Sequence, residues 1–404
     1  MSADGSESPV AVSVPHAPAT DYAPIDAAVD DAGAVGFVAV GDRFDPGLRY
    51  LTRIEGPERE YAFVRVGGKS VLCTPEEYAR KAEAQFDGAI AADRVGDPAG
   101  ERAAAVLDGE LGGGAAGPEV GPVLVPPTIP HDAAVYLQRA GYDLQSTTAV
   151  ADARVAKSDA EVGAIDAVQR AATASVREAE RRLATADVGA DGGLRRSGRP
   201  LTAAGLRRAT NAELARRGVA DADNTVVSAG GTAIESGAEE AARGDRPIRA
   251  GEPIAVAVGP RGPYGYHGSV ARTVVVDSSG GWERRAYVAA ESALDAALAE
   301  IEAGAVAATV GREADAELAA FGFDPTDDSA TAGRATPGHG VGLSRRERPS
   351  LDADTELEAG AVVAVEPRVA DTERGVVRLS ALVVVTEGGY ERLGDGERSF
   401  TPRE

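Results

Sequence analysis

Residues 253–277 read PIAVAVGPRGPYGYHGSVARTVVVD. Two apolar runs, 254–258 and 270–276, flank a turn rich in glycine, proline and tyrosine between Gly259 and Gly268. Runs of that length around a Gly/Pro segment predict two paired strands joined by a hairpin loop. Tyr266, His267, Ser269, Arg272 and Thr273 crowd the turn side of this unit. That density of polar groups exceeds what a plain loop needs. The hairpin is read as the place around which a chemical site was built.

Toward the C-terminus, 281–303 predicts a long helix stopped by Gly304, and 311–321 a further one. Strands are expected at 361–365, 376–379 and 382–385. In the other direction, 225–228 reads as a strand and 202–217 as a helix. Ser158-Asp-Ala-Glu161 is a capping box that opens an amphipathic segment to about residue 186. These elements predict a domain over 153–396 with helices gathered over a largely antiparallel sheet.

Before it, strands and helices alternate. A helix is expected at 22–33, strands at 36–40, 61–66 and 69–72, a loop at 109–118, a strand at 121–125 and a helix at 131–140. Gly67-Gly68 marks a hairpin turn, and Thr74 with Pro75-Glu76-Glu77 reads as a helix N-cap. The prediction is a small α/β domain over 21–152, with 1–20 a disordered tail and 397–404 a second tail.

Composition bounds the function. The chain has 404 residues, 43% of them hydrophobic, and a formal net charge of −22. No apolar run approaches the ~18 residues of a membrane-spanning helix, and the N-terminus lacks the basic start and apolar core of a signal peptide. Cys73 is the single cysteine, which leaves no intrachain disulfide and no cysteine-based zinc site and fits a reducing cytoplasm. Only Lys69, Lys81 and Lys157 are lysines, and the acidic residues are dispersed. That balance suits a high-salt, haloarchaeal type of cytoplasm, where screening removes self-repulsion; the alternative is simple acidity for solubility. It disfavours nucleic acid as a partner. The Gly-rich 259–265 run follows no strand-to-helix turn, so it is a weak phosphate loop, and Cys73 in an apolar run is read as packing.

Four segments occur in order: GYHGSVART (265–273), TPGHGVGL (336–343), VVAVEP (362–367) and GVVRLSALVVV (375–385). They resemble the sequence markers of the pita-bread metallopeptidases, the family of methionine and Xaa-Pro aminopeptidases, prolidase and creatinase. DPGLRYLTRIEGPEREYAF (45–63) and VLCTPEEY (71–78) resemble the creatinase/prolidase N-terminal domain. The resemblance covers about residues 22–395. It implies an α+β protein: a creatinase-type N-terminal α/β domain, then a pita-bread domain with helices over a curved antiparallel sheet.

The resemblance also implies hydrolysis of a peptide bond at two adjacent divalent metals such as Mn, Co or Zn, which activate a bridging water. The family uses two Asp, one His and two Glu as ligands. Here the first Asp position is Ala257 and the second is Ser269. His339 and Glu366 match the His and the first Glu, and Ser380 occupies the last position. Alanine offers no ligand atom, and a neutral hydroxyl is a poor substitute for a carboxylate on a hard cation. Two pocket histidines of the family are also altered, to Gly237 and Arg346.

What the resemblance therefore implies is a Xaa-Pro peptidase-like protein without catalytic or metal-binding residues. It keeps a remnant pocket of His267, Arg272, His339, Glu366 and Arg378. No cofactor is expected. The expected role is binding a peptide, a small molecule or a protein partner, in the cytoplasm and away from membrane and nucleic acid. A homodimer, or pairing with an active paralogue, is implied by the family's habit. The alternative is a hydrolase of Xaa-Pro peptides or a related small amide, either metal-independent through His339, Glu366 and Arg378, or with recruited ligands such as Glu235 or Asp277. Creatinase's metal-free chemistry does not carry over, because Gly237 stands where its histidine would be. Several readings stay open. His339 is a remnant held by backbone hydrogen bonds or a ligand-binding group. Glu366 pairs with Arg378 or Arg272, or acts on a ligand. Tyr266 and His267 line a pocket or sit on a surface turn. Glu347 is read as facing solvent, and His16 and His131 as unrelated to the site.

Overall fold

The computed structural model describes residues 17–93, 97–112, 121–231, 246–323 and 336–403. They form two compact units, one from Ala17 to Arg154 and the other from Val155 onward.

The first unit is a six-stranded mixed sheet in the order β4-β3-β2-β1-β5-β6. Its strands are β1 Gly36–Gly41, β2 Tyr61–Val66, β3 Lys69–Pro75, β4 Ala89–Asp93, β5 Val123–Val125 and β6 Leu144–Ser146. Its helices are α1 Ala23–Asp31, α2 Pro46–Thr52, α3 Ala79–Gln85, α4 Ala99–Glu110, α5 His131–Arg139 and α6 Ala149–Ala153. Gly67 and Gly68 both adopt positive φ, which a tight hairpin between β2 and β3 demands. The capping role expected of Thr74 is not taken. β3 runs through it to Pro75, a short 3₁₀ turn Glu76–Tyr78 follows, and the Thr74 side chain is buried in the sheet. Strand pairing of Thr74 with Ala92 of β4 outcompetes the cap at this position. Cys73 is buried among the valines and alanines of the core. Most of the loop expected at 109–118 lies outside the described residues.

In the second unit, Ser158 opens α7 Asp159–Ala184 with a complete capping box. The Ser158 main-chain N–H donates to Glu161 Oε2 at 2.9 Å, and the Glu161 N–H points back at Ser158 Oγ. Such a cap is worth about 1 kcal/mol, so Ser158→Ala should lower stability by about that amount in urea denaturation. Three short strands follow, β7 Asp187–Val188, β8 Leu194–Arg196 and β9 Arg199–Pro200, then α8 Ala203–Arg216. Strands β10 Val226–Ala229, β11 Ile254–Val258 and β12 Val270–Val274 form an antiparallel sheet. Ile254, Val256, Val258, Val270 and Val274 bury against Ala172, Val176, Leu183 and Leu206 of α7 and α8. Side chains alternate along a strand, so Ala257 and Ala271 face away from those helices.

The second half repeats this logic. α9 Trp282–Ala299 and α10 Ala307–Ala320 cover one face of a five-stranded antiparallel sheet, β14-β13-β15-β18-β19. Its strands are β13 Gly338–Gly340, β14 Glu347–Ser350, β15 Val362–Val365, β18 Ala381–Thr386 and β19 Gly389–Arg392. A hairpin of β16 Arg368–Asp371 and β17 Gly375–Arg378 leads from β15 to β18. Helix α9 ends before Gly304 because the Ala303 and Gly304 N–H groups bond to Thr386 and Leu357, which takes the chain out of the helical ladder. Val363, Val365, Val383 and Val385 pack under the helices. By alternation, Ala364 and Glu366 point to the other face.

Candidate functional site

The β10–β12 sheet and the five-stranded sheet of the second unit meet at their helix-free faces. The Ala271 N–H donates to Ser380 Oγ at 2.7 Å, and the Ser380 N–H returns a bond to the Ala271 carbonyl. Thr273 Oγ1 both donates to the Arg378 carbonyl and accepts from its N–H, each at 2.9 Å. These bonds clamp β12 to the segment that leads from Arg378, the last residue of β17, to Ser380 just before β18. Ala257 lies opposite Ala271 in the ladder and joins the same row.

Glu366 is the centre. Its side chain is 5% exposed. Ser269 donates to Oε1 at 2.8 Å, Arg378 donates to Oε2 at 2.5 Å, and His339 Nε2 lies 3.6 Å from Oε2. Arg346 Nη2 approaches Oε2 at 3.8 Å. Burial alone would raise the Glu366 carboxyl, but Arg378, His339 and the Ser269 hydroxyl more than offset it and hold it well below the usual carboxylate range. A carboxylate so stabilised is a weak proton acceptor.

His339 reaches this centre because it pairs with Ala364 across β13 and β15, and cross-strand partners share a face. The glycines beside it permit the close approach: a Cβ at Gly340 would lie 2.1 Å from the Arg348 carbonyl oxygen. The His339 Nδ1 is 3.0 Å from the Gly340 carbonyl oxygen, a contact only an N–H satisfies. Ser269 is fixed from behind by Gln169 of α7, whose amide bonds both the N–H and the carbonyl of Ser269 at 2.9 Å.

The structure thus brings together Ser269, His339, Glu366, Arg378 and Arg346 directly, and Ser380 and Ala257 through Ala271. It sets Arg272 apart. Arg272 shares the parity of Val270 and Val274, so it points to the helix side of the sheet, where its Nη1 bonds the carbonyls of Ala271 and Ser380. Burial pushes its pKa down to about 10, against the opposing pull of Glu180 on α7. Of the two partners open to Glu366, Arg378 is the one used.

Tyr266 and His267 are both buried, so the surface-turn reading of them does not hold. Tyr266 donates to Glu161 Oε1, and His267 Nδ1 lies 3.2 Å from the Gly259 carbonyl. Burial holds His267 below its ordinary pKa; Arg261 and Arg345 act the same way, while the Gly259 carbonyl and Glu347 oppose them. The unfolded chain therefore takes up this proton more readily than the native one. Stability is expected to fall as pH drops below about 6.5, and His267→Gln should flatten that fall when urea midpoints are compared across the interval.

Glu347 does not face solvent. Its carboxylate is 2.8 Å from Lys157 Nζ, with side-chain exposures of 10% and 2%. The contact joins residues 190 positions apart, so no local pattern announces it. Asp277 is exposed on a residue of positive φ. His131 is the exposed first residue of α5. Gly237, Glu235 and His16 lie outside the described residues. Among the described residues, no group of three or more His, Cys, Asp or Glu side chains is placed to hold a metal ion.

The model of metallopeptidase family M24 matches residues 159–387. That is more than half of the chain, and the chain belongs to this family. Among curated relatives, the Xaa-Pro dipeptidase of Pyrococcus furiosus is 27% identical over 158 residues, which cover 39% of this chain and 43% of that protein. The uncharacterized peptidase YqhT of Bacillus subtilis is 32% identical over 135 residues, 32% of this chain and 35% of its own. The chain thus spans about two-fifths or less of the length of these curated relatives.

Solved structures extend the likeness to the whole fold. The prolidase from Pyrococcus horikoshii OT3 superposes with a TM-score of 0.76 at 18% identity, over 93% of this chain and 98% of that one. The Xaa-Pro dipeptidase from Bacillus anthracis gives 0.76 at 19% identity, over 94% and 98%. The fold is the two-domain α+β architecture with a pita-bread second domain. Among the described residues, no helix is long and apolar enough to cross a membrane.

Proposed function

We propose that this member of the M24 family keeps the peptidase scaffold as a binding module and does not carry out dinuclear-metal hydrolysis. Its ligand would be a peptide, a small molecule or a protein partner, with a homodimer or an active paralogue as the assembly and a salt-adapted cytoplasm as the setting. One observation carries the reading: the Glu366 carboxylate is already taken up by Arg378, Ser269 and His339. A guanidinium 2.5 Å from the oxygen stands where a bound cation would compete for it. Beside it stand the hydroxyls of Ser269 and Ser380, and Ala257 supplies no donor atom, a poor set for two hard cations. Two divalent ions do not fit such residues.

A metal-independent hydrolase is the second reading, and the proximity of His339, Glu366 and Arg378 favours it. The low proton affinity of Glu366 argues against its acting as a general base. The test is elemental analysis of the purified chain after incubation with Mn, Co and Zn, together with turnover of Xaa-Pro dipeptides. We expect well below one ion per chain and no turnover. About two ions per chain with hydrolysis would overturn the proposal. Turnover that survives a strong chelator would establish the second reading instead.

A further inference from the structure

We propose that the arginines around Glu366 form a binding site for an oxyanion, the carboxylate or phosphate group of a small ligand. Arg378 and Arg346 both approach Glu366 Oε2. Arg368 lies directly opposite Arg378 in the β16–β17 ladder, and Arg345 adjoins Arg346. Among the described residues, Arg345 and Arg368 have no carboxylate within salt-bridge reach. The Glu366 carboxylate thus meets two guanidiniums, and Arg345 and Arg368 add positive charge beside them.

This local excess of positive charge sits in a chain of net charge −22. Like charges held together repel, and a bound anion relieves that repulsion. Two of the arginines register it: burial first, then Arg346 and Arg378 against the opposing pull of Glu366, push Arg345 below the ordinary arginine range, and burial and Arg378 do the same to Arg368. The centre is reachable, because the Arg346 side chain is 48% exposed and that of Arg378 26%. Arg346 is tethered on its other nitrogen by Thr336 Oγ1 at 3.3 Å, which leaves one edge of its fork toward the centre. Planar guanidinium forks match the paired oxygens of a carboxylate or phosphate.

The inference rests on the proposed function only in taking the position to be free of metal. Metal content and anion binding are measured separately, so either can fail alone. The experiment is calorimetric titration of the full chain at fixed ionic strength with inorganic phosphate, the dipeptide Ala-Pro and its C-terminal amide. Phosphate or Ala-Pro should bind at least about tenfold more tightly than the amide, as expected for a charge-assisted contact. The tighter of the two identifies the source of the oxyanion. Arg346→Gln should weaken that binding about tenfold, and Arg346→Lys, which keeps the charge and loses the fork, by less. Equal binding of acid and amide with no phosphate binding, or unchanged binding by Arg346→Gln, would overturn the assignment.

Discussion

The triple variant Ala257→Asp/Ser269→Asp/Ser380→Glu is expected to bind two Mn(II) ions per chain where the native chain binds none. Ala257, Ser269 and Ser380 share the helix-free face with His339 and Glu366, linked through the Ala271–Ser380 and Ser269–Glu366 bonds. Without metal, three added carboxylates would crowd Glu366, and the variant should melt well below the native chain. With Mn(II) at about 100 times its dissociation constant, linkage returns about 2.7 kcal/mol for each ion bound. Thermal unfolding with and without a chelator, alongside elemental analysis, reads both effects. A folded triple variant that ignores Mn(II) would show that these five positions do not make a metal site, and with that the ligand correspondence drawn from the resemblance would fall.

The second large effect concerns the ion pair that now fills this place. Arg378→Met should destabilise the chain by about 3 kcal/mol, because it leaves the Glu366 charge buried without its closest partner. The figure lies at the low end for a broken buried pair, since Arg378 is a quarter exposed and Arg346 stands 3.8 Å away to take over part of the role. Adding Glu366→Gln to Arg378→Met should recover most of the loss, since the stranded charge is then gone. Urea denaturation of the two variants decides it. A loss below about 0.5 kcal/mol in the single variant would place the contact with ordinary surface salt bridges.

The parts of this site that could be read from sequence are those set by period. Alternating valines at 254–258 and 270–274 fix which residues face the helices, and the same parity places Arg272 on the helix side, a signal available before any coordinates. The paired strands around residues 259–268 were equally legible, because a Gly/Pro turn between apolar runs admits few other solutions. Contacts between distant segments were not. Lys157 meets Glu347, Gln169 braces Ser269, and Arg346 joins Arg378 at Glu366, and each depends on how sheets and helices come together. Thr74 misled for a related reason: its local cap chemistry was sound, but pairing with Ala92 of β4 overrode it.

The Glu161 carboxylate has a role beyond closing the capping box. One oxygen fixes the first turn of α7, while the other accepts the Tyr266 hydroxyl in the turn before β12. A single side chain therefore bridges the start of a helix and a hairpin 105 residues later. Amide hydrogens in these two segments should show one common opening free energy in hydrogen exchange under native conditions. A link of this kind ties the turn before β12 to α7 without calling on any group at Glu366.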